Sequence, residues 1–372
     1  MTDAVVVAAA RTPIGKRGRA LAEVRPDDLC AALVRSLLGR LPAPVPLDDV
    51  IVGCATPVGE QGWNIGRQVA LLAGLPAEVP AVTVNRMCGS SDQAIQFASQ
   101  AIRSGDAEAV LACGVESMSR VPMASDGVKF SRRMAERVRL VQQGLSAEQV
   151  VQKYHLSREA MDEYSLMSHQ RAVEACQVLS REIIPVDLPE GRLSADEGPR
   201  SDTSLERLAG LAPAFQPEGR ITAGNSSQMN DGAAAVLLTS RGLAERLGLP
   251  IRGRIVRAVS VGSDPVLQLT GPMTATQKVL AKAGLRLADI DHFEINEAFA
   301  CVPMAWRHET EVPLARLNPR GGGISIGHPL GATGARLLVT MLHALEDTGG
   351  RYGLQSMCIG HGMANATILE RL

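Results

Sequence analysis

The chain repeats itself, and this duplication constrains the fold more than any other feature of its 372 residues. Leu47-Asp48-Asp49-Val50-Ile51-Val52-Gly53-Cys54 resembles Leu287-Ala288-Asp289-Ile290-Asp291-His292-Phe293-Glu294, each an Asp-led apolar run that reads as a strand. Both runs have the same sequel. In the first half, Ala81 to Asn85 reads as a strand and Cys88-Gly89-Ser90-Ser91 as a turn. A helix is expected from Gln93 to Arg103, with apolar residues at 94, 95, 97, 98, 101 and 102, followed by a buried strand from Ala109 to Cys113. In the second half, Gly321 to Ile326 occupies the place of the strand and leads through Gly327-His328-Pro329 to a helix from about Thr333 to Leu345. A strand from Gly353 to Cys358 follows. The spacings agree: Cys54 to Cys88 is 34 residues and Asn296 to His328 is 32.

Matched halves of strand, turn, helix and strand predict two similar α/β units packed as pseudo-twins. Cys88 and His328 then lie at corresponding strand-to-helix turns, where they can face one another. Residues 119–216 have a different texture, charged and rich in Arg and Gln, with one amphipathic helix expected from Arg158 to Leu179. This stretch reads as an insertion. The first unit spans 1–118 and is completed by about 217–247, where Ala233 to Thr239 resumes the apolar strand pattern, and the second unit spans 248–372.

Composition excludes several classes of function. Lys and Arg number 38 against 39 Asp and Glu, so a net charge of −1 gives no electrostatic reason to expect nucleic acid or an anionic membrane as partner. The longest apolar stretches fall far short of the ~20 residues that a spanning helix needs, and no charged n-region with a signal-type core opens the chain, so a cytoplasmic protein is expected. The seven cysteines, at 30, 54, 88, 113, 176, 301 and 358, include no CxxC pair. Free thiols in a reducing compartment follow, and most buried cysteines are inert, so any reactive one must be identified by its surroundings.

Cys88 has such surroundings. It follows a β-rich run and precedes a helix, flanked by Gly89, Ser90 and Ser91, where backbone N–H groups and the helix dipole favour a thiolate. Gly327-His328-Pro329-Leu330-Gly331-Ala332-Thr333-Gly334 is a second glycine-dense turn, which leaves an imidazole uncovered, and the duplication puts His328 opposite Cys88 as its base. Cys358-Ile359-Gly360-His361-Gly362 ends the last strand with another thiol and with N–H groups able to hold an oxyanion. Asn296, at the carboxyl end of its strand, either holds a water or caps the following helix.

Asn85-Arg86-Met87-Cys88-Gly89-Ser90-Ser91, Asn296-Glu297-Ala298-Phe299, Gly327-His328-Pro329 with Gly331 and Gly334, and Cys358-Ile359-Gly360 together resemble the four signature blocks of thiolases, in the family's order. The likeness extends to Ala9 to Gly15, Gly114 to Ser119, and Thr222 to Ser227 with Asn230-Asp231-Gly232. It implies the thiolase fold, a layered α-β-α-β-α core carrying an inserted loop domain that covers CoA. The implied chemistry is ping-pong thiolysis of a 3-ketoacyl-CoA, with Cys88 as nucleophile, His328 as base and Cys358 as the acid that protonates the departing acetyl-CoA carbanion. Asn296 would hold a water beside the thioester enolate, and the N–H groups of Cys88 and Gly360 would hold the tetrahedral oxyanion. By the same resemblance Arg200 and Ser227 contact CoA, CoA is a substrate with no permanently bound cofactor or metal, and the protein is a homodimer or homotetramer.

Lys129, Arg132, Arg133, Arg137 and Arg139 form a basic run that either attracts the CoA phosphates or is a solvated face. Three departures from the family's pattern stand out. His361 replaces a small residue, Asp92 brings a charge expected to oppose the thiolate, and the segment 120–145 is short. The closing stretch looks most like degradative thiolases, including those acting on steroid side chains, while an acetoacetyl-CoA thiolase working in the biosynthetic direction uses the same residues. Decarboxylating ketosynthases share the fold but lack the second cysteine, so Cys358 argues against them. A thiolase-like protein that binds acyl-CoA or lipid without turnover is the non-enzymatic alternative, which the presence of Cys88, Asn296, His328 and Cys358 opposes.

Overall fold

The computed structural model describes residues 2–127 and 130–372. The first half contains the strands β1 (Ala4–Arg11), β2 (Gly15–Lys16), β3 (Asp49–Gly53), β4 (Ala81–Val84) and β5 (Ala109–Ser117), with helices α1 (Pro26–Leu38), α2 (Ile65–Leu72) and α3 (Ser90–Ser104). The middle stretch carries α4 (Arg132–Arg137), α5 (Gln143–Lys153), α6 (Arg158–Glu174) and α7 (Cys176–Leu179), the small hairpin β6 (Val186–Leu188) and β7 (Gly191–Leu193), and α8 (Leu205–Ala209). Then come β8 (Asn230–Ser240), α9 (Arg241–Arg246), β9 (Gly253–Gly262), α10 (Gly271–Ala283), β10 (His292–Ile295), α11 (Cys301–Thr310), α12 (Thr333–Thr348), β11 (Tyr352–Ile359) and β12 (Met363–Arg371).

The strands run in the order β10-β11-β12-β9-β1-β8-β5-β3-β4, with β2 beside β8. The two halves of this sheet are joined through the pairing of β1 with β9, where Val5 meets Arg254 and Val6 meets Gly253. On one side β3 is parallel to β4 and β5, and β8 is antiparallel to β5 and β1. The other side repeats that plan, with β10 parallel to β11 and β12 antiparallel to β11 and β9.

Three apolar clusters hold five layers together, the middle one reaching both half-sheets. Leu29, Leu33 and Val34 of α1 and Val69 of α2 bury against Val52 and Leu111. Ile95 and Ile102 of α3 and Leu338 and Leu342 of α12 fill the space between the two half-sheets, meeting Val110 and Val236 on one and Ile255 and Leu369 on the other. Val279 of α10 and Trp306 of α11 cover the far face with Phe293 and Leu354. The chain therefore has the layered α-β-α-β-α arrangement, and α3 and α12, the helices that follow Cys88 and His328, share its central layer.

The duplication is incomplete at one place. Gly321 to Ile326 forms turns where the first half has β4, and pairing on that edge shrinks to a single parallel bridge between Phe293 and Leu317. Three consecutive glycines have no side chains to pack on a pleated surface, and Gly321 at φ +82° is outside the strand region. The helix expected from Arg158 to Leu179 also divides, α6 ending at Glu174 and α7 starting at Cys176. The buried face of α6 is partly polar, because Tyr164 and Ser168 donate to Glu297 in the second half.

Among the described residues no helix is long and apolar enough to cross a membrane.

Candidate active site

Cys88 sits in a turn that its neighbours hold tightly. Asn85 Oδ1 accepts from Met87 N at 2.7 Å, and Ser90 Oγ accepts from Arg86 N at 3.0 Å. Met87 is forced to φ +47°. Two glycines allow the close approach of the parts: a Cβ on Gly53 would meet Ser91 N at 2.3 Å, and one on Gly89 would meet Ile359 Cδ1 at 2.3 Å. The start of α3 thus rests directly on β3, and the turn on β11.

The thiol is buried, and burial pushes it up to about 11. The backbone N–H groups of Cys88 and Gly360 and the side chain of Gln143 oppose that rise, while the charge of Glu116 adds to it. Loss of water thus outweighs the N–H groups that favour the thiolate, and the thiol keeps its proton at neutral pH. A base is required. Asp92 points into the central layer, where it accepts from Gln96, Gln355 and Thr367 at 2.9, 2.6 and 2.8 Å.

Cys358 is next to last in β11 and is fully buried. Burial, and then the neighbouring charge of Cys88, push its thiol well above the usual range. It is held protonated at neutral pH.

His328 is buried, and burial followed by the charge of Arg336 pushes it down to about 3. At neutral pH it is an uncharged imidazole, and its hydrogen bonds assign the tautomer. Thr333 Oγ1 donates to Pro329 O at 2.8 Å and so accepts from His328 Nδ1–H at 2.6 Å. Nε2 is left unprotonated and accepts from Asn296 Nδ2 at 3.3 Å. Asn296 follows β10, its own N–H bonded to Ser356 O at 3.0 Å, and its buried Oδ1 has no partner among the described residues. An unpaired buried acceptor of this kind suits a water or a substrate donor.

Cys88 lines a cavity of 460 Å3 together with Gly360 and apolar side chains including Met87, Phe215, Phe299 and Leu330. Leu330, two residues beyond His328, packs against the cluster around Cys88. His361 stands at the rim with φ +64°, its N–H bonded to Gln268 Oε1 at 2.8 Å and its ring edge-on to Phe130 at 5.7 Å. A thiol beside two N–H groups, a second protonated thiol and a neutral imidazole paired with an amide can together transfer an acyl group and a proton.

Arg200 is not in this cavity. It lines a separate one of 210 Å3 with His169, Arg207 and Gly224. Burial, then the charges of Arg200 and Lys16, push His169 down to about 4. Ser227 donates from its backbone N–H to Ala298 O at 2.9 Å, two residues beyond Asn296. Of the basic run, Lys129 lies outside the described residues, and Arg132, Arg133, Arg137 and Arg139 are exposed, with Arg132 paired to Glu136 at 2.6 Å. Among the described residues no group of three or more His, Cys, Asp or Glu is placed to hold a metal ion.

Sequence reasoning gave no role to Thr333, Gln143, Glu116 or Arg336. Thr333 and Glu116 lie within motifs that were recognised, and a charged residue inside an apolar strand, as at Glu116, was the available signal.

The family model described as Thiolase, N-terminal domain matches residues 4–242, and Thiolase, C-terminal domain matches 249–371. A steroid 3-ketoacyl-CoA thiolase of Mycobacterium tuberculosis is 49% identical over all of this chain and 95% of its own length. A β-ketoadipyl-CoA thiolase of Acinetobacter baylyi is 42% identical over the whole of both chains. Among solved structures, the dimeric peroxisomal thiolase of Saccharomyces cerevisiae superposes with a TM-score of 0.94 at 37% identity, covering 100% of this chain and 98% of that one. The Bacillus anthracis acetyl-CoA acetyltransferase gives 0.92 at 36%, covering 100% and 99%. Two family models that together span nearly the whole sequence, and relatives matched from end to end, show that this chain belongs to the thiolase family of acyltransferases.

Proposed function

We propose that the protein cleaves 3-ketoacyl-CoA thioesters with CoA, releasing acetyl-CoA and a shortened acyl-CoA, in the degradation of fatty acids or steroid side chains. The observation that carries this reading is the pair of thiols, Cys88 beside the Gly360 N–H on a largely apolar cavity and the buried Cys358 perturbed by Cys88. His328 Nε2 takes the proton of Cys88, and the sulfur attacks the 3-keto carbon. The N–H groups of Cys88 and Gly360 receive the oxyanion. As the carbon–carbon bond breaks, the electron pair passes to the acetyl-CoA enolate, which His328, now carrying the Cys88 proton, and a water on Asn296 Oδ1 stabilise. Cys358 then supplies the proton to carbon, and the proton held by His328 passes to the Cys358 thiolate, which leaves the imidazole neutral again. A second CoA, its thiol deprotonated by His328, attacks the acyl group on Cys88, and His328 returns that proton to the departing Cys88 sulfur.

Neutral His328 fits this sequence better than a charged one, because the same nitrogen must accept a proton from Cys88 and later from CoA. We assign the CoA nucleotide to the basic cavity at Arg200, and the pantetheine to the passage beside Ser227 and Phe299. Residues 119–216 are assigned as the domain that covers it. The relative named as a steroid 3-ketoacyl-CoA thiolase, at 49% identity, favours larger acyl groups over acetoacetyl-CoA alone. CoA release measured across short, long and steroid-like 3-ketoacyl thioesters tests this: cleavage of acetoacetyl-CoA only would sink the degradative assignment. Acetylation of Cys88 by acetyl-CoA, read by intact mass, tests the acyl-enzyme itself, and binding without an adduct would favour a passive acyl-CoA carrier.

The reading places the reaction in the cytoplasm, without a resident cofactor. We also assign a homo-oligomer, built on the open edge of β4, where Trp63, Leu71, Val82 and Phe97 expose apolar surface. A monomer in light scattering at micromolar concentration would contradict it.

A further inference from the structure

Two buried carboxylates flank the His328 turn, and the reaction just described uses neither. Glu116 ends the core of β5 and is 0% exposed. Its Oε2 accepts from Ala55 N and from Gly331 N, each at 2.8 Å, and its Oε1 from Thr56 N at 3.1 Å and Gln61 Nε2 at 2.8 Å. Glu297 follows β10 and is 1% exposed. Its Oε2 accepts from Ile324 N at 3.2 Å and Ser168 Oγ at 2.7 Å, and its Oε1 from Tyr164 OH at 2.9 Å and Asn318 Nδ2 at 3.1 Å.

Their placement is symmetrical about the imidazole. Ile324 is four residues before His328 and Gly331 three residues after it. One carboxylate comes from each half of the duplication, each at the end of a strand in its half-sheet. Glycine makes room for both: a Cβ on Gly331 would meet Glu116 Oε2 at 2.7 Å, and one on Gly322 would meet the Glu297 carboxyl carbon at 2.4 Å. Cys54 Sγ also donates to Glu116 Oε1 at 4.0 Å; every donor to the two groups is neutral, so the nine hydrogen bonds fix direction without bringing in a cation. A buried anion is costly unless fully bonded, so each carboxylate holds its donors in place strongly.

We propose that Glu116 and Glu297 are positioning residues of the thiolase reaction, two anchors that hold the His328 turn from its opposite ends and so set where the imidazole stands. The inference rests on the proposed reaction, in which His328 is the base. It adds that α6, through Tyr164 and Ser168, is mechanically tied to that base.

Glu116→Gln and Glu297→Gln each replace an acceptor by an NH2 group that has no acceptor to meet. Each is expected to lower kcat for acetoacetyl-CoA thiolysis about 100-fold, the cost of a shift near 1 Å, while KM stays within about threefold. Alkylation of Cys88 by iodoacetamide at pH 10, where hydroxide replaces the base, should fall no more than about twofold below the wild type in either variant, and should rise in Glu116→Gln, which loses the charge that holds the Cys88 thiol up. Glu116→Asp and Glu297→Asp keep the charge and acceptors, and should recover about tenfold of the lost kcat. Gln variants with wild-type kcat would overturn the proposal. So would a kcat loss matched by an equal loss of alkylation at pH 10, which marks a general structural role. Wild-type protein that fails to cleave acetoacetyl-CoA or any longer 3-ketoacyl-CoA would instead overturn the underlying reaction, and the inference with it.

Discussion

The turn that carries Cys88 and the turn that carries His328 occupy equivalent places in the duplicated fold, yet they are built differently. Cys88 comes four residues after β4 and two before α3, so its sulfur lies at a helix start, with N–H groups nearby. His328 comes after turns rather than a strand, and a short 3-10 segment, Leu330–Ala332, separates it from α12. The first turn provides donors to an anion that forms during the reaction. The second provides hydroxyl and amide groups that fix a neutral ring. A duplicated scaffold has thus become asymmetric where the two chemical tasks differ, by giving up one edge strand.

Several measurements would break or sharpen that contrast. The largest effect is expected for Cys88→Ser, which should remove the acyl-enzyme seen by mass spectrometry and cut turnover by roughly 10⁴-fold or more. Cys358→Ala should leave acetylation of Cys88 within about tenfold of the wild type, but slow the carbanion step by about 10³-fold. Equal loss in both half-reactions would deny the division of labour between the thiols.

Asn296→Ala should lower kcat by about 100-fold with little change in KM, since it removes a group that acts on the enolate. In His328→Ala, Cys88 should titrate as a lone thiol near 11, so its alkylation climbs about tenfold per pH unit from pH 8. A plateau near pH 8 would show that the N–H groups alone make a thiolate.

The smallest effect concerns stability. His328 and His169 are held below their ordinary value of 6.5, at about 3 and about 4, so the unfolded chain binds protons that the folded one does not. Their contribution is fully present above about pH 6.5 and is lost as pH falls toward 4 and then 3. The urea midpoint should therefore drop between pH 7 and pH 4.5, and less so in His169→Gln. A flat midpoint would contradict the burial argument.

Much of this was legible in the sequence because it is local. The periods of α3, β5, α12 and β11 were visible in their apolar spacing, and the glycines around Cys88 and His328 announced turns. The missing strand before His328 was not, since Gly321 to Ile326 sits in the right place and only its glycines argue against pairing. The direction of Asp92 was also hidden. Its partner Gln355 is 263 residues away, and helix periodicity cannot say which distant strand will cover a first-turn side chain.

The sequence by itself determined the duplication, the identity of the reacting groups and the family, because motifs and spacing are properties of neighbouring residues. Only the tertiary structure decided the charge that each group carries. Cys88 is raised by burial, Cys358 by burial and Cys88, and His328 is lowered by burial and Arg336. The reason is that protonation depends on desolvation and on charges brought together from both halves, and no local pattern records either quantity.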